Sequence, residues 1–174
     1  MVSHGSRRSA SESGQHGARQ VVFWVGARCL SLSIAVVREV VDLRQLTPVP
    51  MAPPAVLGII SLRGTILSVL DAEQVLSGTM SAVAASKILV LVRDGVAISG
   101  LAIHRVVGVA AMPAAEFLQN HAATQDLVSG YHDLGGGELV AVLDPDVLFR
   151  HIDALRLAAT STDAAALLEQ EIVR

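Results

Sequence analysis

From Gln20 onward, short apolar runs rich in β-branched residues alternate with polar turns. Leu30, Leu32 and Ile34 are separated by Ser31 and Ser33, the period-two pattern of a strand with one face in and one face out. The same reading predicts strands over Gln20–Val25, Cys29–Ile34, Val36–Leu43, Val56–Leu62 and Thr65–Leu70. The small, polar stretch Ser77–Ser86 reads as a linker. A second set of strands is predicted over Ser86–Arg93, Val96–Ile103, Val106–Met112, Leu127–His132 and Glu138–Leu143. Asp94-Gly95 is a hairpin turn signal between two of them, and Gly135-Gly136-Gly137 a turn before the last. Pro113–Phe117 is a candidate start for a short helix. Pro48, Pro50, Pro53 and Pro54 cannot donate to a ladder, so their segment is a loop or an edge crossing.

The two ends differ from this pattern. Residues 1–19 are rich in Ser, Gly, Arg and His without apolar periodicity, and are expected to be a disordered tail. After Asp144 the chain turns to Ala, Leu and charge, predicting helices over about 145–158 and 163–173. Leu155, Leu167, Leu168 and Ile172 form an apolar stripe in this extension, fit to pack on the strands or to dock a partner.

Internal repetition organises the strands. Gly64–Asp71 aligns without gaps on Gly137–Asp144, an offset of 144 − 71 = 73. Val37–Val41 aligns on Ile103–Val107, an offset of 66. Two similar lobes of about five strands follow, roughly 20–76 and 86–150, with 151–174 as a helical extension.

Composition narrows the class. The 174 residues are 52% hydrophobic, 17% charged and 3% aromatic, so the interior must be aliphatic and the bulk of the chain ordered. The longest uncharged run, Gln45–Leu62, spans 62 − 44 = 18 residues but carries four prolines, which argues against a spanning helix and direct membrane insertion. No apolar segment follows Arg7-Arg8, so no secretory signal is read, and the lone Cys29 has no internal disulfide partner. A cytoplasmic setting fits both. Net charge is −3 and the chain holds one lysine, Lys87, so no basic patch points to nucleic acid.

Catalytic and cofactor signatures are missing from the sequence. It has no phosphate-binding loop, nucleophile elbow, H-E-x-x-H or C-x-x-C, and His104, His121, His132 and His151 show no ligand spacing. The expectation is a chain with no cofactor, no metal and no catalysis. One enzymatic alternative exists: the twin Asp71 and Asp144 suggest a two-lobed aspartyl hydrolase, which needs the two carboxylates about 3 Å apart. Otherwise each Asp caps a short helix.

The stretch from Val36 to Asp71 resembles the CheW-like family. It reads Val36-Val-Arg-Glu-Val-Val41, Thr47-Pro-Val-Pro50, Ala52-Pro53, Val56-Leu-Gly-Ile-Ile60, Leu62-Arg-Gly64 and Val69-Leu-Asp71, against the family's Glu-Val segment, P-x-x-P crossing, G-[VI]-[VI]-x-L-R-G and closing P-V-x-D-L in the same order. Gly100–Val106 and Leu139–Asp144 resemble the family's later motifs, so the likeness covers about 20–150. It implies an all-β fold of two five-stranded, SH3-like β-barrels sharing an aliphatic core, with short helices. It also implies a non-enzymatic chemosensory adaptor, recruited to membrane receptor arrays. Such an adaptor couples the cytoplasmic tips of methyl-accepting chemoreceptors to the regulatory domain of a CheA-type histidine kinase.

Carried over residue by residue, Glu39 and Arg63 would flank the receptor groove. Val36, Val37, Val40, Gly58 and Gly64 would line or shape it, and Gly100 would belong to the second lobe's wall. Ser68, Ala72 and His104 depart from the Pro, Leu and Asp usual at those places. A rival reading is a self-assembling structural module of a non-motility pathway, forming rings with like domains.

Overall fold

A computed structural model describes residues 18–80, 84–112, 117–119, 127–133 and 138–156, and structural statements below concern these residues. Eleven strands are found: β1 (Ala18–Val25), β2 (Arg28–Ser33), β3 (Val37–Asp42), β4 (Val56–Leu62), β5 (Thr65–Asp71), β6 (Lys87–Arg93), β7 (Val96–Ile103), β8 (Arg105–Met112), β9 (Phe117–Gln119), β10 (Val128–Asp133) and β11 (Leu139–Leu143). Helix α1 (Ala72–Ser77) follows β5, and a second helix, α2, occupies 145–156 after β11. The strands form a five-stranded sheet, β3-β6-β7-β5-β4, and a six-stranded sheet, β8-β1-β2-β11-β10-β9.

The all-β fold of two lobes is as the sequence implies, but the lobes are not contiguous halves. Lobe one is β3–β7 with α1. Lobe two is β8–β11 with α2, completed by the N-terminal hairpin β1–β2. The two sheets have one wiring in different chain order. β8 stands where β3 does, β10 and β11 where β4 and β5 do, and β1 and β2 where β6 and β7 do. The offset of 73 is confirmed: Val69 pairs with Gly100 as Val142 pairs with Ser31. The offset of 66 is corrected. Val37 opposes Leu91 as Val106 opposes Phe23, so the true offset is 106 − 37 = 69. Lobe two is thus a circular permutation of lobe one, which a linear repeat search divides at the wrong place.

β9 is a further difference. It pairs with β10 at Phe117, where a helix start was expected. The expected tail up to residue 17, the Gly135–Gly137 turn and the 163–173 helix lie outside the described residues.

The interior has three layers. The largest unites Val21, Phe23, Leu30 and Leu32 of lobe two with Leu70, Leu89, Leu91, Leu101 and Ile103 of lobe one, and both helices cover it. Each lobe also has its own interior: Leu67, Val69, Ile88, Val90 and Ala102 in lobe one, and Val22, Met112 and Val140 in lobe two. Strands β1 and β6 are therefore buried on both faces, which is why they read as continuous apolar runs rather than alternating ones. The chain leaving β3 meets β4 at one isolated bridge. Thr47 N–H donates to Ile59 O at 3.0 Å and Ile59 N–H to Thr47 O at 2.8 Å.

Candidate functional site

The strand β3 carries a bulge at Arg38, between Val37 and Glu39 in its pairing with β6. A bulge re-aims the residues beside it. Glu39 thereby sits at the mouth of lobe one, where the β4–β5 turn brings Arg63. That turn has two residues, with φ of 50° at Arg63 and 81° at Gly64, the mirror-type geometry that suits a right-twisted hairpin. Nothing lies within 4 Å of a Cβ built on Gly64, so the backbone angle and not space calls for glycine. A side chain as large as arginine at positive φ costs about 1 kcal/mol or more. Its guanidinium is 80% exposed and donates to Glu39 Oε2 at 3.0 Å. Together with Leu62, Thr65 and Ala97 the pair rims a pocket of about 220 Å³. As an exposed ion pair it adds little stability.

Between the edge strands β3 and β4 runs a larger groove of about 900 Å³. Val40, Ile59, Ile60, Leu62 and Ile88 line it from lobe one and Val106 from lobe two. Lys87 lies on its wall, paired with Asp42, and holds the Asp42 carboxyl below the usual carboxylate range through their hydrogen bond and its charge. Of these, sequence reasoning singled out only Val40. The lining residues come from four separate strands and meet only through sheet order. The sole lysine and the Val106 of the second motif were the available signals.

The remaining expected residues take structural places. Val36 and Val37 pack partly buried against the shared core. Gly58, at φ 150°, lets the Pro-rich crossing approach: a Cβ there would stand 2.6 Å from Thr47 O. Gly100 is not on the wall of the second lobe. It lies buried inside lobe one on β7, where a Cβ would stand 2.6 Å from Ile88 Cγ2.

His104, in place of the usual Asp, accepts the Gly26 N–H on Nδ1 at 2.7 Å, while its backbone N–H donates to Trp24 O at 3.0 Å. A carboxylate would accept the same hydrogen bond, so the substitution keeps the tie between the β7–β8 junction and the β1–β2 turn. Ala72, in place of Leu, is fully buried beside the shared core.

Asp71 and Asp144 both cap helices. Asp71 Oδ1 accepts from the Glu73 and Gln74 N–H groups at 2.8 and 3.0 Å, and Asp144 Oδ1 from those of Asp146 and Val147 at 2.9 and 3.0 Å. They occupy equivalent places in different lobes and each serves its own helix, which removes the geometric motive for a shared-proton dyad. Among the described residues no group of three or more His, Cys, Asp or Glu could hold a metal ion, and no helix is long and apolar enough to cross a membrane.

Comparison with known proteins agrees with this geometry. A family model for the CheW-like domain matches residues 19–153. Among solved structures, the scaffolding protein TtCheW from Thermoanaerobacter tengcongensis matches with a TM-score of 0.66 and 25% sequence identity. The match covers 76% of this chain and 92% of that one. A search of curated proteins finds no match of comparable significance. With the family pattern spanning both lobes and both capped helices, the chain belongs to the CheW-like family.

Proposed function

We propose that this chain is a non-enzymatic chemosensory scaffold that couples membrane chemoreceptors to a CheA-type histidine kinase. The observation that carries this reading is the groove along β3, whose aliphatic floor, including Val40 and Val106, is flanked by polar residues such as Arg44 and Lys87, beside the Arg63–Glu39 pair. A groove of this kind suits the apolar face of a helical hairpin, with the ion pair setting register at its rim. Val36, Val37, Gly58, Gly64 and Gly100 act indirectly here, by holding the walls. The kinase regulatory domain, built on the same fold, would meet a barrel surface elsewhere.

Calorimetry with a cognate receptor tip tests the assignment. Arg63→Ala, Glu39→Ala and Val40→Asp should each weaken binding at least tenfold, while Val96→Asp, at an exposed position outside the groove, should not. Full-strength binding by the first three variants removes the site.

A second reading, assembly with like domains, is favoured by the edge strand β8, which exposes Val107 by 58% and Val109 by 48%. Unpaired edges with apolar rows template further pairing. Light scattering separates the two: a scaffold that waits for its partners stays monomeric alone, and a self-assembling module grows with concentration.

A further inference from the structure

Strand β3 turns its side chains alternately to half-buried and exposed positions. The exposed row reads Arg38, Val40 and Asp42. Arg44 continues it just past the strand, where Leu43 N–H still donates to Ser86 O. Asp42 is committed to Lys87. Among the described residues neither Arg38 nor Arg44 joins a salt bridge. Arg44 lines the large groove, and Arg38 lines the small pocket that meets it at Leu62. The aliphatic floor is thus bounded at each end by one cation more than the local anions balance. Arg38 and Arg63 stand against Glu39 at one end, and Arg44 and Lys87 against Asp42 at the other.

A single surface arginine is ordinary and solvated. These two stand at opposite ends of one row with Val40 between them, on a chain whose net charge is −3. The positive ends are therefore local features, and complementary charge is what selects a partner and speeds its approach. A guanidinium can hold a carboxylate by two parallel hydrogen bonds, so each arginine can read the position of an acid as well as its sign. Six residues separate the two (44 − 38 = 6), about 20 Å along a strand. An α-helix covers that length in about 13 residues.

We propose that the receptor hairpin seated in this groove carries a carboxylate at each end of its apolar stripe, about 13 residues apart, and that Arg38 and Arg44 receive them. This rests on the reading of the groove as the receptor site, and it adds the chemistry and spacing by which a receptor is chosen.

Calorimetry of the full chain with the cytoplasmic hairpin of a cognate receptor tests it. Arg38→Glu and Arg44→Glu should each weaken binding at least tenfold, and the loss should shrink as sodium chloride rises from about 0.1 M to about 0.5 M. Both positions are exposed, so neither variant disturbs the core. Hairpin acids are then changed to lysine one at a time. Two of them, about 13 residues apart, should lose affinity for the parent chain and regain it, one with Arg38→Glu and the other with Arg44→Glu. Absence of any rescued pair overturns the proposal, as does full-strength binding by Arg44→Glu. In that case loss of binding by Val40→Asp leaves the groove reading in place, whereas full-strength binding by Val40→Asp removes both. Weakened binding of the kinase regulatory domain, with hairpin binding unaltered, assigns the row to the kinase and also overturns it.

Discussion

The inward faces of the two lobes show how one wiring can be filled in two ways. In lobe one, Ile88 and Gly100 meet inside the barrel, glycine making room for isoleucine. The equivalent places in lobe two hold Gln20 and Ser31, since Ile88 opposes Ala102 as Gln20 opposes Ser33, and Gly100 opposes Val69 as Ser31 opposes Val142. Gln20 and Ser31 are both buried, yet among the described residues neither Gln20 Oε1 nor Ser31 Oγ has a hydrogen-bond partner. Lobe one has one such atom, Ser68 Oγ, on the strand face turned to the Pro-rich crossing. The faces turned toward the other lobe do not differ in kind: Leu89 and Leu91 answer Val21 and Phe23. Cohesion therefore belongs to the shared layer, and lobe two carries buried polarity inside because that layer holds it in place. An unpaired buried hydroxyl or amide costs about 1–3 kcal/mol, which a small barrel alone could ill sustain.

The largest effect should be the one that ignores the contrast. Phe23→Ala and Leu91→Ala remove equivalent side chains from the shared layer, and each should cost about 3–5 kcal/mol in urea unfolding. Both should unfold in a single transition. Two separated transitions would break the idea of a common core.

Next in size is a lobe-one effect. Gly100→Ala drives a Cβ against the branched Ile88 side chain and should cost about 1–3 kcal/mol by the same measurement. A neutral result would mean that lobe one is as loosely filled as lobe two. The matching change in lobe two has the opposite sign: Ser31→Ala deletes an unpaired buried hydroxyl and should raise stability by about 1 kcal/mol. Loss of stability there would reveal a hidden partner for Ser31 and erase the contrast.

The smallest effect concerns the strap between lobes. Arg93 on β6 grips Asp153 on α2 through two hydrogen bonds, at 2.9 and 3.1 Å, and lies 5.1 Å from the Phe149 ring centroid. The hydrogen bond from Arg93 holds the Asp153 carboxyl below its ordinary value of 3.8. The folded state thus prefers the charged form, so the strap stabilises above that value and is lost as pH falls through the lower folded one. Asp153→Asn should lower the melting temperature slightly at pH 7, and the difference from the parent should shrink and vanish as the carboxyl is protonated in acid. A gap that persists in acid would assign the effect to packing.

Much of the local structure was legible because it rests on local chemistry. β4 and β7 have the bounds that their β-branched runs predict, and Asp94-Gly95 forms its turn with φ of 52° and 77°. Both Asp caps announced themselves by an acidic residue at the end of an apolar strand. What escaped depends on neighbours remote in sequence. Nothing near Gly100 reveals Ile88, and nothing near Val40 reveals Val106. The Glu39–Arg63 pairing came from resemblance, and its geometry adds the strained turn that aims the arginine outward. The lobe boundary escaped because the order of strands in a sheet is not their order in the chain, so a linear comparison has no reason to place the N-terminal hairpin with the far end.

That permutation has a consequence for how the chain assembles in time. Every strand of lobe one emerges in one uninterrupted stretch, Val37–Ile103, and its contacts close over short loops. The hairpin β1–β2 is made first but must wait for β8, with all of lobe one in between. Closing so long a loop from an unfolded chain is entropically unfavourable and slow. Folded lobe one shortens it: β3 and β7 both flank β6 and Val37 is level with Ser99, so the entry and exit of the insert stand about two strand spacings apart across the sheet and four residues apart along it, roughly 16 Å in all. The first lobe to fold is then the jig on which the second is closed, and the earliest part of the chain to be synthesised is among the last to be locked in.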